Sequence, residues 1–144
     1  MYNLKISCTL VLLINLKLRV MTELTKAEEK IMKILWRIER GFIKDILDQY
    51  PDPKPPYNSV STIVRVLVQK EIVSYQAYGK TYQYYPLVTK EEYRRGQLSR
   101  LVSEYYNNSL KQVVNFFSES KQLDEKELDE VMKMLQELKT KKND

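Results

Sequence analysis

Residues 72–86 read IVSYQAYGKTYQYYP, and this stretch decides the fold. Two runs rich in β-branched and aromatic residues, Val73 to Ala77 and Tyr82 to Tyr85, flank Tyr78-Gly79-Lys80-Thr81. Such residues suit a pleated strand, and a glycine between the runs supplies the backbone freedom of a tight turn. The stretch therefore predicts a β-hairpin turning at Gly79. Everything before it, from residue 22, reads as helix. Thr25-Lys26-Ala27-Glu28 has capping-box spacing, in which Thr accepts from a first-turn N–H and Glu reaches back. Ile31, Ile34, Leu35 and Ile38 follow on one helical face, and Gly41 is expected to end the helix. Ile43, Ile46 and Leu47 mark a second, shorter helix, stopped by the four prolines of YPDPKPP at 50–56. A third helix is expected to begin at Asn58 or Ser59 and end near Lys70, with Val60, Ile63, Val64 and Leu67 on its apolar face. Three short helices followed by a β-hairpin make a winged helix-turn-helix.

Beyond the hairpin the pattern stays helical. Thr89-Lys90-Glu91-Glu92 is a second capping box, opening one long expected helix with Leu98, Leu101, Val102, Tyr105, Leu110, Val113 and Phe117 on one side. Asp124-Glu125-Lys126-Glu127 opens a last helix carrying Leu128, Val131, Met132, Leu135 and Leu138. Two helices cannot bury both stripes by themselves, and no globular remainder exists to cover them. The economical partner is a second copy of the chain, so these stripes are the expected dimer contacts. The fold class is thus mainly α with a small β-hairpin. An extension at 1–21 precedes a winged-helix domain at 22–88 and a helical dimerisation domain at 89–144.

Composition narrows the chemistry. The 144 residues contain one cysteine, Cys8, and no histidine. A disulfide framework is excluded, a zinc site is not expected with one cysteine and no histidine, and imidazole acid–base catalysis is impossible. No nucleophile–base pair, phosphate loop or metal cluster is visible, so neither an enzyme nor a cofactor is expected. The formal charge of +5 is unevenly spread. Residues 1–21 carry three basic side chains and no acid, while 118–144 carry six basic and eight acidic ones. The more telling feature is local: no carboxylate occurs from Pro53 through Lys70.

The segment MYNLKISCTLVLLINLKLRV ahead of Met21 has a basic residue and then an apolar run from Cys8 to Leu16, superficially like a signal peptide. Asn15, Lys17 and Arg19 follow in place of a small-residue cleavage site, and the run is too short to span a bilayer. A helix start directly after Met21 favours translation beginning there over a membrane anchor. No stable membrane insertion is expected, and the protein reads as cytoplasmic.

The third helix, YNSVSTIVRVL at 57–67, carries the functional reading. With its apolar face inward, Asn58, Thr62, Arg65 and Gln69 point away from the core, flanked by Ser61. These groups suit base edges in a DNA major groove: arginine pairs with guanine, amides with adenine, and threonine adds a methyl for thymine. Tyr57 and Ser59, at the helix start, are placed to reach phosphate, and Lys80 and Tyr82 at the hairpin would touch the backbone or minor groove. Each residue also has a plain structural reading, with Asn58 and Ser59 as N-caps, Arg65 and Gln69 as solvated surface, and the tyrosines as strand formers. Their coincidence with an acid-free helix and a wing favours double-stranded operator DNA. The rival class is a winged-helix module that binds protein, which would not need an acid-free face.

LTKAEEKIMKILW, YNSVSTIVRVLVQKEIV and GKTYQYYP together resemble the BlaI/MecI/CopY penicillinase-repressor family over about residues 22–140. The resemblance implies a homodimeric repressor whose third helix enters the major groove of a palindromic operator. It also implies release by proteolysis, triggered by a membrane-embedded metallopeptidase sensor of β-lactam. Within QVVNFFSES, Asn115 and Phe116 match the scissile pair of the β-lactam repressors, while Phe116 and Phe117 read equally as packing across the dimer. The chain ends LKTKKND, without the cysteine-rich tail of copper-sensing members, so copper sensing is not implied.

Overall fold

The computed structural model describes residues 9–14, 19, 22–120 and 124–143. Helix α1, Lys26–Ile38, starts with the expected box: the Glu28 N–H donates to Thr25 Oγ1 at 3.2 Å and the Thr25 N–H to Glu28 Oε2 at 2.8 Å. Its end differs from expectation. Glu39 rather than Gly41 takes the positive-φ position after the last turn, at φ 65. Gly41 does other work, pairing with Tyr84 through reciprocal backbone bonds of 3.0 and 2.8 Å. A Cβ there would lie 2.8 Å from the tip of the Ile38 side chain and 3.1 Å from Asp45 Cβ, so an added methyl would have to displace both.

Helix α2, Ile43–Asp48, buries Ile43 and Ile46, and helix α3 runs Tyr57–Gln69. Strands β1, Val73–Tyr78, and β2, Thr81–Pro86, pair antiparallel with Tyr75 opposite Tyr84 and Ala77 opposite Tyr82. Gly79, at φ 60, occupies the first of the two turn positions, where a type II′ turn needs glycine. The core between the helices and the hairpin base is apolar and closed. Ile31, Met32, Leu35, Ile46, Val60, Val64, Leu67, Ile72, Val73 and Val88 are almost fully buried. Ile63, expected on the apolar face, is only partly buried and packs against this core.

The described residues divide into two compact units, one reaching Arg100 and one beginning at Leu101. Helix α4, Lys90–Tyr105, opens with the expected Thr89–Glu92 box, and its Tyr93 stacks on Trp36 at 5.4 Å. Trp36 is held from the other direction, its Nε1–H donating to the Val88 carbonyl at 2.8 Å.

The second unit corrects the expectation of one long helix through Phe117. Helix α4 stops at Tyr105, and α5 runs Leu110–Glu119. Asn107 and Asn108 both adopt left-handed φ, 49 and 56, which asparagine tolerates better than other non-glycine residues. Ser109 then caps α5 by accepting from the Gln112 N–H. Helix α6, Glu125–Lys142, starts after Asp124 as expected, with no side-chain cap bond. No helix among the described residues is long and apolar enough to cross a membrane.

Candidate nucleic-acid interface

Helix α3 begins one residue earlier than expected, and Pro56 rather than Asn58 or Ser59 is its N-cap. Two consecutive prolines disfavour helix before Tyr57, while Pro56 at φ −59 pre-sets the first turn. No side chain caps this end and no acid sits in its first turn. The Ser59 N–H turns back to the Pro56 carbonyl at 3.1 Å, and the positive end of the helix dipole is left open to an anion. Asn58 and Ser59 are thereby relieved of capping and lie exposed on the first turn.

Asn58, Thr62, Arg65 and Gln69 are all exposed while Val60, Val64 and Leu67 are buried, so the two faces fall where the helical period puts them. Ser61 is half-buried at the flank. The Thr62 hydroxyl donates to the Asn58 carbonyl at 2.8 Å, which commits its proton to the helix itself. Its methyl and its remaining lone pairs are what it has left to offer a ligand.

A groove of about 520 Å³ lies between α3, the start of α2 and the wing. Helix α3 contributes Tyr57, Asn58, Ser61 and Arg65; the wing contributes Lys80, Thr81, Tyr82 and Tyr84. The structure thus gathers Tyr57, Asn58, Ser61, Arg65, Lys80 and Tyr82 around one concavity, while Ser59, Thr62 and Gln69 lie on α3 outside its lining. Sequence reading missed Lys44, which enters from the first turn of α2. Its position one residue into a helix of a helix-turn-helix was the available signal. Asp45 enters beside it, so the concavity is not wholly acid-free; its Oδ2 accepts from the Phe42 N–H at 2.8 Å, capping α2.

Arg65, Lys44 and Lys80 form no salt bridge among the described residues, so three cations outnumber the single acid, Asp45, around the groove. Tyr84, at the groove floor, is buried, and burial pushes its hydroxyl pKa up; the Arg65 guanidinium opposes that, while neighbouring Tyr57, Tyr82 and Tyr75 add to it. Tyr84 is therefore a neutral phenol beside a fixed positive charge. Tyr75 packs edge-on to Tyr82 at 4.8 Å, with both rings nearly half exposed on one face of the wing.

The expected dimer contacts are open in this single chain. Leu98, in the first unit, is 59% exposed. In the second unit, neither α5 nor α6 buries a single residue. Leu101, Tyr105, Leu110, Phe117, Leu128, Val131, Leu135 and Leu138 are exposed, and Val102 and Val113 half-buried. Asn115 and Phe116 both lie exposed within α5, and Phe116 contacts Phe117 and Tyr106 edge-on.

Comparison with known proteins gives this geometry a context. The chain is 22% identical over 127 residues to the penicillinase repressor of Bacillus licheniformis, covering 85% of this chain and 96% of that one. It is 22% identical over 114 residues to the methicillin resistance regulatory protein MecI of Staphylococcus epidermidis, covering 78% of this chain and 93% of that one. The penicillinase repressor family profile matches residues 24–137, across both compact units. The chain belongs to the penicillinase repressor family.

Proposed function

We propose that the protein is a homodimeric, sequence-specific transcriptional repressor that acts in the cytoplasm on a palindromic operator. The observation that carries this is the groove where Arg65, Lys80 and Lys44 stand without carboxylate partners beside an uncapped helix start. In this reading α3 enters the major groove, Arg65 and Asn58 address base edges, and Tyr57, Ser59 and Lys44 hold phosphates. Lys80 and Tyr82 carry the wing onto the neighbouring backbone. One relative named as a penicillinase repressor and one named as a methicillin resistance regulatory protein, each matched over nearly its full length, support the regulatory role.

Dimerisation through residues 90–140 is supported by the absence of any buried residue in α5 and α6. A pair of helices with this much apolar surface in water would not stay single. Cleavage between Asn115 and Phe116 by a membrane-embedded metallopeptidase is the release step we assign, on the family resemblance and on the exposure of that bond in α5.

An electrophoretic shift assay on the chain's own promoter, titrated with salt, tests the reading. Affinity driven by phosphate contacts should fall roughly a thousandfold or more between about 50 and 200 mM salt. A missing shift, or one indifferent to salt, would overturn the DNA assignment and leave a protein-binding winged helix.

A further inference from the structure

Away from the reading groove, the first unit has a second concentration of positive charge. Two adjoining hollows of about 260 and 360 Å³ share Trp36 and Lys90. The smaller is lined by Lys33, Trp36, Arg37 and Lys90 alone, three cations around an indole with no carboxylate among them. Lys33 is partly neutralised by Glu29 at 3.0 Å. Arg37 and Lys90 form no salt bridge among the described residues. Glu39 offsets Arg40 in the larger hollow, so the excess sits at the Arg37–Lys90 end.

The indole between them is fixed. Its Nε1–H is committed to the Val88 carbonyl at 2.8 Å, and Tyr93 packs at 5.4 Å with the rings inclined by 40°. Unpaired guanidinium and ammonium groups beside a fixed indole wall are available to an anion: Arg37 offers a planar fork and Lys90 a point charge. The two hollows together fall within the size range of small-ligand clefts, roughly 300–1,000 Å³. None of their lining residues lines the reading groove, which argues for a free molecule and not the operator's own phosphates.

We infer that the cleft between α1 and the start of α4 binds a small phosphorylated ligand, its phosphate held by Arg37 and Lys90 beside Trp36. The site lies where the chain leaves the wing for α4, so a bound anion would tie the end of α1 to the first turn of α4. This goes beyond the repressor reading and does not depend on it.

Trp36 is the single tryptophan of the chain, so red-edge-excited fluorescence reports on this cleft alone. Full-length protein would be titrated with inorganic pyrophosphate, with sodium chloride at matched ionic strength as control. A saturable change with pyrophosphate, absent with chloride, is expected. The variant Arg37→Ala/Lys90→Ala, altered only at exposed positions, should weaken binding at least about tenfold, the effect of one lost charge-assisted contact. Its unchanged melting temperature would show that folding is intact. Arg37→Lys is a second variant, expected to retain charge but bind more weakly than the parent. A change equal to that of chloride, or an unaffected double variant, would overturn the proposal. So would an operator duplex that produces the same signal and is displaced by pyrophosphate, since the cleft would then belong to the DNA interface. Failure of DNA binding in the shift assay leaves this titration unaffected, so the two readings fail separately.

Discussion

Glu28 is a carboxylate only 4% exposed, at the third position of α1, and burial, Lys70 and Thr25 determine its state. Burial pushes its pKa up, but the Lys70 ammonium at 2.8 Å and the Thr25 N–H together outweigh that and hold it below the ordinary glutamate value. Lys70 is the C-cap of α3, so the pair ties the positive end of one helix to the negative end of the other. A depressed carboxylate contributes stability that is fully present above its unfolded pKa, about 4.3, and is lost as pH falls through the folded value. Glu28→Gln should therefore cost about 2 kcal/mol at neutral pH. Acid titration of the melting temperature should narrow the gap between variant and parent below about pH 4.3; a constant gap would show that the charge is not what matters. Gly41 acts by size instead. Alanine there places a methyl 2.8 Å from Ile38 Cδ1 and 3.1 Å from Asp45 Cβ, at the residue that pairs with Tyr84. Overpacking of this kind costs about 1–3 kcal/mol, readable as a lowered urea midpoint with an unchanged slope.

At the level of elements, reading helix and wing should separate in a mutational test. Arg65→Ala is expected to lower operator affinity by about 1–3 kcal/mol and to relax preference at one base position. Lys80→Ala should weaken all sequences alike and flatten the salt dependence. Shift assays on the operator and on single-base variants of it distinguish the two; identical behaviour would mean that helix and wing have been assigned wrongly. The elements themselves were largely legible, and for physical reasons. Val60, Val64 and Leu67 recur at a spacing only a helix can bury on one side, and Gly79 sits where a two-residue turn needs it. The break after Tyr105 was hidden because Tyr105 and Leu110 both continue an apolar stripe across it. The signal that mattered was Asn107-Asn108-Ser109, two residues at ease with left-handed φ followed by a cap. Gly41 misled in a similar way: glycine after a helix suggests a cap, but here it answers to a strand forty-three residues away. Beyond the place of Lys44 at the start of α2, nothing in the local pattern puts it or Asp45 in the groove, since the packing of α2 against α3 brings them beside the wing.

On the scale of the whole molecule, the two compact units differ in what stabilises them. The first has a closed apolar core of its own. In the second, α5 has ten residues and buries none of them, and α6 has eighteen and also buries none. Helices this short are marginal in water unless an apolar face is covered. Exposed Leu110, Phe116, Phe117, Leu128, Val131, Leu135 and Leu138 offer such a face, which a second copy would cover in the proposed dimer. Dimerisation would also set the affinity for a palindrome, because the second half-site is reached intramolecularly, an advantage of about 10²–10⁴. A cut after Asn115 leaves every DNA-facing residue in place but removes Phe116, Phe117 and the whole of α6. It would also take away the Phe116 ring that packs against Tyr106. The bond lies within α5, so a protease must meet it locally unwound, and a helix with no buried residue opens at little cost. A chain ending at Asn115 should sediment as a monomer at concentrations where full-length protein is dimeric. It should bind operator about a hundredfold or more weakly while still recognising a single half-site. A truncated protein that remained dimeric and kept full affinity would show that the interface lies upstream of Phe116, and cleavage there could not be the release step.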